Sequence, residues 1–192
     1  MKYFSVLYNK FIYRNLISRK LNRVGKNFKF GYSSELINPQ YFSIGDNFFT
    51  GPNTYSSTNK NNLVKIGNHV MFGPDCKIIG GNHDIQFNKN HMYFNKEIDH
   101  MNSTIKIEDG VWIASSTILL SNTYLAEGSV IGAMSLVNSY IPPYSIAVGI
   151  PAKKISKRFK NSEDLKELLR NVNSKYTFDE INSIYKKCNI EY

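Results

Sequence analysis

From residue 107 onward apolar side chains return at every sixth position. Ile107, Ile113, Leu119, Leu125, Ile131 and Val137 open the units "IEDGVW", "IASSTI", "LLSNTY", "LAEGSV", "IGAMSL" and "VNSYIP". Position five is mostly small or β-branched, through Val111, Thr117, Thr123, Ser129, Ser135, Ile141 and Ala147. The same register appears earlier in units beginning at Ile66, Phe72 and Ile78. An α-helix, with about 3.6 residues per turn, would scatter such positions around its surface. In a strand, position five and the next position one share a face, and position six between them faces outward. Each six therefore predicts a short strand and a corner, with the bend at position two, where Gly67, Gly73, Ala114 and Gly132 stand. Three sixes predict a triangular coil of about 18 residues, and coils stacked at roughly 4.8 Å make a parallel β-helix, an all-β core.

The outward positions add a second expectation. Trp112, Val130 and Val148 should stack on one face of the prism, and Ile118 and Leu136 on the next. Apolar side chains outside the prism need a cover, and a rotationally symmetric homo-oligomer supplies one. The C-terminal segment is the competing cover. It predicts helices in "NSEDLKELLRNV", capped by Ser162, and in "TFDEINSIYKKC", where Thr177 and Glu180 have capping-box spacing. These helices are expected over the open end of the stack.

The rhythm stops at "IIGGNHDIQF". His83 holds an outward position six, and Asp84 takes the next position one, where an unpaired carboxylate inside an apolar prism would cost several kcal/mol. The chain must therefore leave its path and return near Ile107, which makes residues 84–104 an excursion. Long loops in compact domains are mostly functional. The two glycines before His83 leave room for another backbone or a ligand to come near.

The 192 residues suit one domain, read as a basic amphipathic helix over 1–23, the β-helix over 24–159 and a helical extension over 160–192. With 24 Lys and Arg against 15 Asp and Glu, the net charge of +9 favours an anionic partner. The N-terminal helix is expected to pack on its own domain, with weak association to an anionic membrane surface as the alternative. No apolar run has the length to span a bilayer, and the N-terminal stretch lacks the apolar core of a secretory signal. Cys76 and Cys188 form no metal or redox spacing and suit a reducing, cytoplasmic compartment. Nucleic acid is not an expected partner, because the charge lies mostly in the termini without a base-stacking motif.

The strings "VKIGNHVMFGPDCKIIGGNHD", "IKIEDGVWIASSTILL", "EGSVIGAMSLV" and "IPPYSIAVGIPAKKISKRF" resemble the hexapeptide-repeat, left-handed β-helix acyltransferases, and within them the sugar and polysaccharide O-acetyltransferases. The resemblance spans roughly residues 40 to 159. It implies a left-handed coil, a homotrimer with active sites between subunits, and acetyl transfer from acetyl-CoA to a sugar or glycan hydroxyl. His83 matches the catalytic histidine, acting as general base for direct transfer without an acyl-enzyme. Ser115, Ala133, Asn138 and Ser139 match CoA contacts, Lys153 matches a contact to CoA phosphate, and Lys157 or Arg158 stands ready to assist. Asn53 matches an acceptor contact, Asn82 and Asp84 flank the histidine on the acceptor side, and no metal is implied. The chain departs from the family at "IASS", at "LLSNTYLAEG" without its usual Pro-Gly, and at Asn138–Ser139, where many relatives have Thr-Lys.

Three other readings compete. A zinc carbonic anhydrase on the same prism needs three histidines, and the spacings of His69, His83, His91 and His100 do not match that class. A streptogramin-type or other xenobiotic acetyltransferase shares an Asn-His at the same place. A trimeric glycan-binding scaffold with a dead site is the non-enzymatic reading.

Overall fold

The computed structural model describes residues 12–95 and 103–190, with the backbone alone at 154 and 155. A short helix, α1 (Arg14–Ser18), leads into β1 (Arg23–Val24) and β2 (Glu35–Ile37). Three-strand coils follow: β3 (Phe42–Ile44), β4 (Phe49–Thr50), β5 (Tyr55–Ser57); β6 (Asn62–Ile66), β7 (Met71–Phe72), β8 (Lys77–Ile79); β9 (Ser103–Ile107), β10 (Trp112–Ile113), β11 (Ile118–Leu120); and β12 (Tyr124–Leu125), β13 (Val130–Ile131), β14 (Leu136–Val137). A last partial coil, β15 (Tyr140–Ile141) and β16 (Ser145–Gly149), turns back into β17 (Ala152–Lys157). Helices α2 (Ser162–Asn171) and α3 (Phe178–Lys187) end the chain. Residues 1–11, nearly half of the expected N-terminal helix, lie outside the described residues, as do 96–102 of the excursion. Ile17 of α1 joins the main core.

The strands form three flat faces. Face one is β1-β3-β6-β9-β12-β15, face two is β4-β7-β10-β13-β16-β17, and face three is β2-β5-β8-β11-β14. All neighbours are parallel except β17, which runs antiparallel on β16 and covers the open edge of face two. Inward residues stack in columns: Ile44, Ile66, Ile107, Leu125 and Ile141 on face one, and Thr50, Phe72, Ile113, Ile131 and Ala147 on face two. Nearly all are fully buried, and each buried Ile or Leu stabilises by roughly 1.5–3 kcal/mol.

Sixes are kept wherever the chain passes from face one to two or from two to three, which we call the first and second corners. The third corner, from face three back to one, takes up all the variation. The chain uses 18 residues from Ile107 to Leu125, but 22 from Ile44 to Ile66, 41 from Ile66 to Ile107 and 16 from Leu125 to Ile141. The last figure corrects the expected stack. Val130 pairs with Ile146 and not with Val148, and Ile141 and Ala147 take position one and not position five. Ile118 and Leu136 do stand in register.

The bend is also displaced from its expected place. The left-handed residue of each first and second corner is position four, as in Asn47, His69, Asn53 and Asp75, residue types that tolerate this conformation. Glycine at position two answers to stacking: a Cβ on Gly67 would lie 2.2 Å from Asp109 Oδ1 in the coil above. The coils also begin earlier than the apolar pattern reveals, because inward Thr50 and Ser56 are polar yet buried. Thr50 Oγ1, for example, accepts from Gly31 N at 3.0 Å.

The C-terminal helices form a second core on Tyr144, the left-handed residue of the last first corner, with Leu165, Leu169, Ile181 and Tyr185. Tyr185 donates to Tyr144 O at 2.7 Å. The cap of α2 is Asn161, whose side chain accepts from Glu163 N, and not the expected Ser162. The Thr177–Glu180 capping box is present. Glu108 ties this segment to the prism: it is buried, accepts from Lys106, Tyr124, Lys175 and Tyr176, and against the opposing effect of burial its carboxyl is held down to about 2 by the bonds from Lys175, Tyr124 and Lys106. The helices do not cover face two, where Phe49, Met71 and Trp112 stack in register at 45%, 49% and 48% exposure. Among the described residues no helix is long and apolar enough to cross a membrane.

Candidate active site

The third corner carries His83. The histidine stands four residues beyond the end of β8 and is exposed at the root of the excursion. Beside it, face three turns an apolar outer surface to solvent, where Ile118 and Leu136 continue the column of Lys77, and Ile79 pairs with Leu120. Asn138 and Ser139, both exposed, follow the last strand of this face and form its shortened third corner. His83, Asn138 and Ser139 thus share one edge of the prism.

Ser115 and Ala133 lie across face three, on the second corner. They occupy position three of successive units, and Met134 N donates to Ser115 O at 2.9 Å to join the two coils. The backbone of Ser115 in turn requires glycine in the coil below, since a Cβ on Gly73 would lie 2.6 Å from Ser115 N. Lys153 is exposed and faces Val148 on the closing hairpin. Val148 packs directly over Gly132, one residue before Ala133, so Lys153 belongs to the second corner. The strip between the two corners is therefore edged by His83, Asn138 and Ser139 on one side and by Ser115, Ala133 and Lys153 on the other.

Other expected residues stand apart from this strip. Lys157 is at the opposite end of β17, facing Ser145 beside the first corner, with its ammonium 5.2 Å from the centre of the Tyr185 ring. Asn53 is a left-handed residue of the second corner, and its Nδ2 donates to Asp75 Oδ1 at 3.0 Å. Asp84 accepts from Gln86 N at 2.9 Å, which turns its carboxylate into the loop. Asn82 is exposed next to His83. His69 contacts Asn47 at the first corner, a different edge from His83, and His100 lies outside the described residues. Cys76 is fully buried, donates to Ala114 O, and its thiol is pushed up by burial, so no thiolate nucleophile faces the strip.

The two glycines before His83 admit side chains of the chain itself. A Cβ on Gly80 would lie 2.5 Å from Thr58 Oγ1, and one on Gly81, whose φ is +91°, 2.1 Å from Asn59 Nδ2. Gly81 N also donates to Ser121 Oγ at 3.0 Å, and Ser121 donates to Asn62 Oδ1 at 3.1 Å. The sequence reading missed Asn59, Asn62 and Ser121. Their trace in the sequence is the four residues by which the coil from Ile44 to Ile66 exceeds 18. The excursion beyond His83 exposes Ile85, Met92, Tyr93 and Phe94, with the last two rings edge to face at 5.2 Å.

No family model matches the chain. A provisionally named acetyltransferase of Schizosaccharomyces pombe is 36% identical over 148 residues, 74% of this chain and 69% of that protein. Galactoside O-acetyltransferase of Lactococcus lactis is 30% identical over 153 residues, 69% of this chain and 70% of that enzyme. Among solved structures, a galactoside acetyltransferase in complex with coenzyme A superposes with a TM-score of 0.65 at 26% identity, covering 79% of this chain and 71% of that one. With its three parallel faces and sixfold corners, the chain belongs to the hexapeptide-repeat, left-handed β-helix acyltransferases, of the sugar O-acetyltransferase type.

Proposed function

We propose that this chain moves an acetyl group from acetyl-CoA to a hydroxyl of a sugar or cell-surface polysaccharide, or of its precursor, with His83 as general base. The observation that carries this reading is the placement of an exposed imidazole on one edge of an apolar strip whose other edge bears Ser115, Ala133 and Lys153. The imidazole takes the proton of the acceptor hydroxyl as its oxygen attacks the thioester carbonyl. When the C–S bond breaks, the imidazolium returns that proton to the thiolate, leaving an acetyl ester and free CoA. Ser115, Ala133, Asn138 and Ser139 have the small size and exposure to flank the pantetheine arm, and Lys153 is placed for a phosphate. Asn82 sits on the acceptor side. Lys157, held against Tyr185, is not part of this strip.

The acceptor pocket needs a second chain, because the strip is open on its outer side. The exposed column Phe49, Met71 and Trp112, continued by Val130 and Ile146, supports a homotrimer packed through face two. Acetyl-CoA and the two unpaired cysteines suit a cytoplasmic enzyme.

The test is release of free thiol from acetyl-CoA by purified protein against a panel of sugars, with His83→Ala alongside. Sugar-dependent release that the variant loses supports the proposal. Turnover of streptogramins alone points to the xenobiotic reading, and turnover of nothing to the glycan-binding scaffold.

A further inference from the structure

Both feet of the excursion meet one buried side chain. Asn62, only 2% exposed, lies at the third corner of the preceding coil. Its Oδ1 accepts from Ser121 Oγ, which in turn accepts from Gly81 N, two residues before His83. The same Oδ1 accepts from Ser103 Oγ, the first residue of β9, where the chain returns from its excursion. Its Nδ2 donates to Asn59 Oδ1 at 3.1 Å, and the Asn59 amide nitrogen abuts Gly81. A carbonyl oxygen using both lone pairs and an amide donating to Asn59 thus link three consecutive coils.

We propose that Asn62, acting through Ser121, is the positioning residue that sets the place of His83 relative to the acyl donor. This rests on the transferase reading above. The physical reason is that His83 is exposed and its segment has left the β-helix register, so side-chain packing does not hold it. The strand ladders end at Ile79 on one side and resume at Ser103 on the other, with an isolated β-bridge at His83 between them. Between them the backbone at Gly80 is tied to Ser57 O and the backbone at Gly81 to Ser121. A displacement of the general base by about 1 Å costs up to about a hundredfold in rate, whereas one hydroxyl on the flank of a stacked coil contributes little to global stability. The clamp also accounts for the four extra residues of the coil before the excursion, which bring Asn59 and Asn62 to its base.

The experiment compares wild type, Ser121→Ala, Asn62→Ala and Asn62→Asp by two independent measurements. The first is backbone hydrogen exchange over residues 80–95, which needs no activity. The second is steady-state kinetics with acetyl-CoA. Ser121→Ala is expected to speed exchange at 80–83 about tenfold and to lower kcat about tenfold, with the KM for acetyl-CoA within about twofold of wild type. Asn62→Asp keeps the accepting oxygen and should recover part of the kcat that Asn62→Ala loses. If exchange at 80–83 is unchanged in Ser121→Ala, the clamp is refuted. If exchange rises and kcat holds, the clamp does not position the base and the proposal also fails. A wild type that turns over no acceptor fails the transferase reading separately, and with it the catalytic part of this one, while the exchange data alone judge the clamp.

Discussion

Lys153 and Lys157 sit on one strand but serve different ends of the molecule. Lys153 faces Val148 next to the second corner, and Lys157 faces Ser145 next to the first, over the Tyr185 ring. Four positions along an extended strand separate the two by about 13 Å, too far for both to meet the same edge of the strip.

That separation predicts unequal kinetics. Lys153→Ala should raise the KM for acetyl-CoA about tenfold, the loss of one charge-assisted phosphate contact worth about 1.4 kcal/mol. Lys157→Ala should leave KM within about twofold. Steady-state titration of acetyl-CoA checks the pair, and equal effects from both would refute the assignment of the strip's two edges.

Trp112 stands in the middle of the apolar column on face two, in register with Met71 and Val130. A carboxylate buried there in a trimer would lack a partner and cost several kcal/mol. Trp112→Glu is therefore expected to give a single chain in sedimentation analysis where wild type gives three. Activity should fall with it, since the strip would lose its second wall. A wild type that sediments as one chain would sink the trimer.

Glu108 makes stability depend on acid. Its carboxyl is held to about 2 in the folded state, below its ordinary value, by bonds from Lys175, Tyr124 and Lys106 that outweigh burial. A depressed folded value stabilises above the unfolded value of roughly 4.3, and that contribution is lost as pH falls toward 2. Thermal unfolding of wild type between pH 5 and 2 should therefore show a declining midpoint that Glu108→Gln flattens. The variant should already be less stable at pH 7 by about 2 kcal/mol, a charged hydrogen-bond loss.

Gly67 tests the stacking argument away from the strip. A Cβ there would lie 2.2 Å from Asp109 Oδ1 and 2.8 Å from Asp109 N, and the latter is backbone that cannot yield. Gly67→Ala should destabilise by about 1–3 kcal/mol in denaturant melts. Were glycine present only for chain bending, a position with ordinary φ would accept alanine without loss.

The parallel β-helix was legible because its signal is local. Two residues apart in a strand share a face, so Val111 with Ile113, or Ser129 with Ile131, announce an inward pair without knowledge of any neighbour. The same signal failed where inward positions are polar. Thr50 and Ser56 belong to the columns of Phe72 and Ile78, but both are polar, and the Thr50 hydroxyl is satisfied by Gly31 N of a neighbouring coil that no sequence window contains. His83 was legible because the register broke at Asp84, and Asn62 was not, because its role depends on Gly81, Ser103 and Ser121 coming together.

What this sequence determined by itself was the repeat unit, its inward and outward positions and the place where the repeat is interrupted, since strand alternation acts over a few bonds. Only the tertiary structure decided how coils align. It placed every insertion and deletion at one corner, set Val130 over Ile146, moved the bend to position four and sent the two lysines of one strand to different edges. Those outcomes follow from hydrogen bonding between strands up to 41 residues apart, where the edge-to-edge fit of whole coils selects the register.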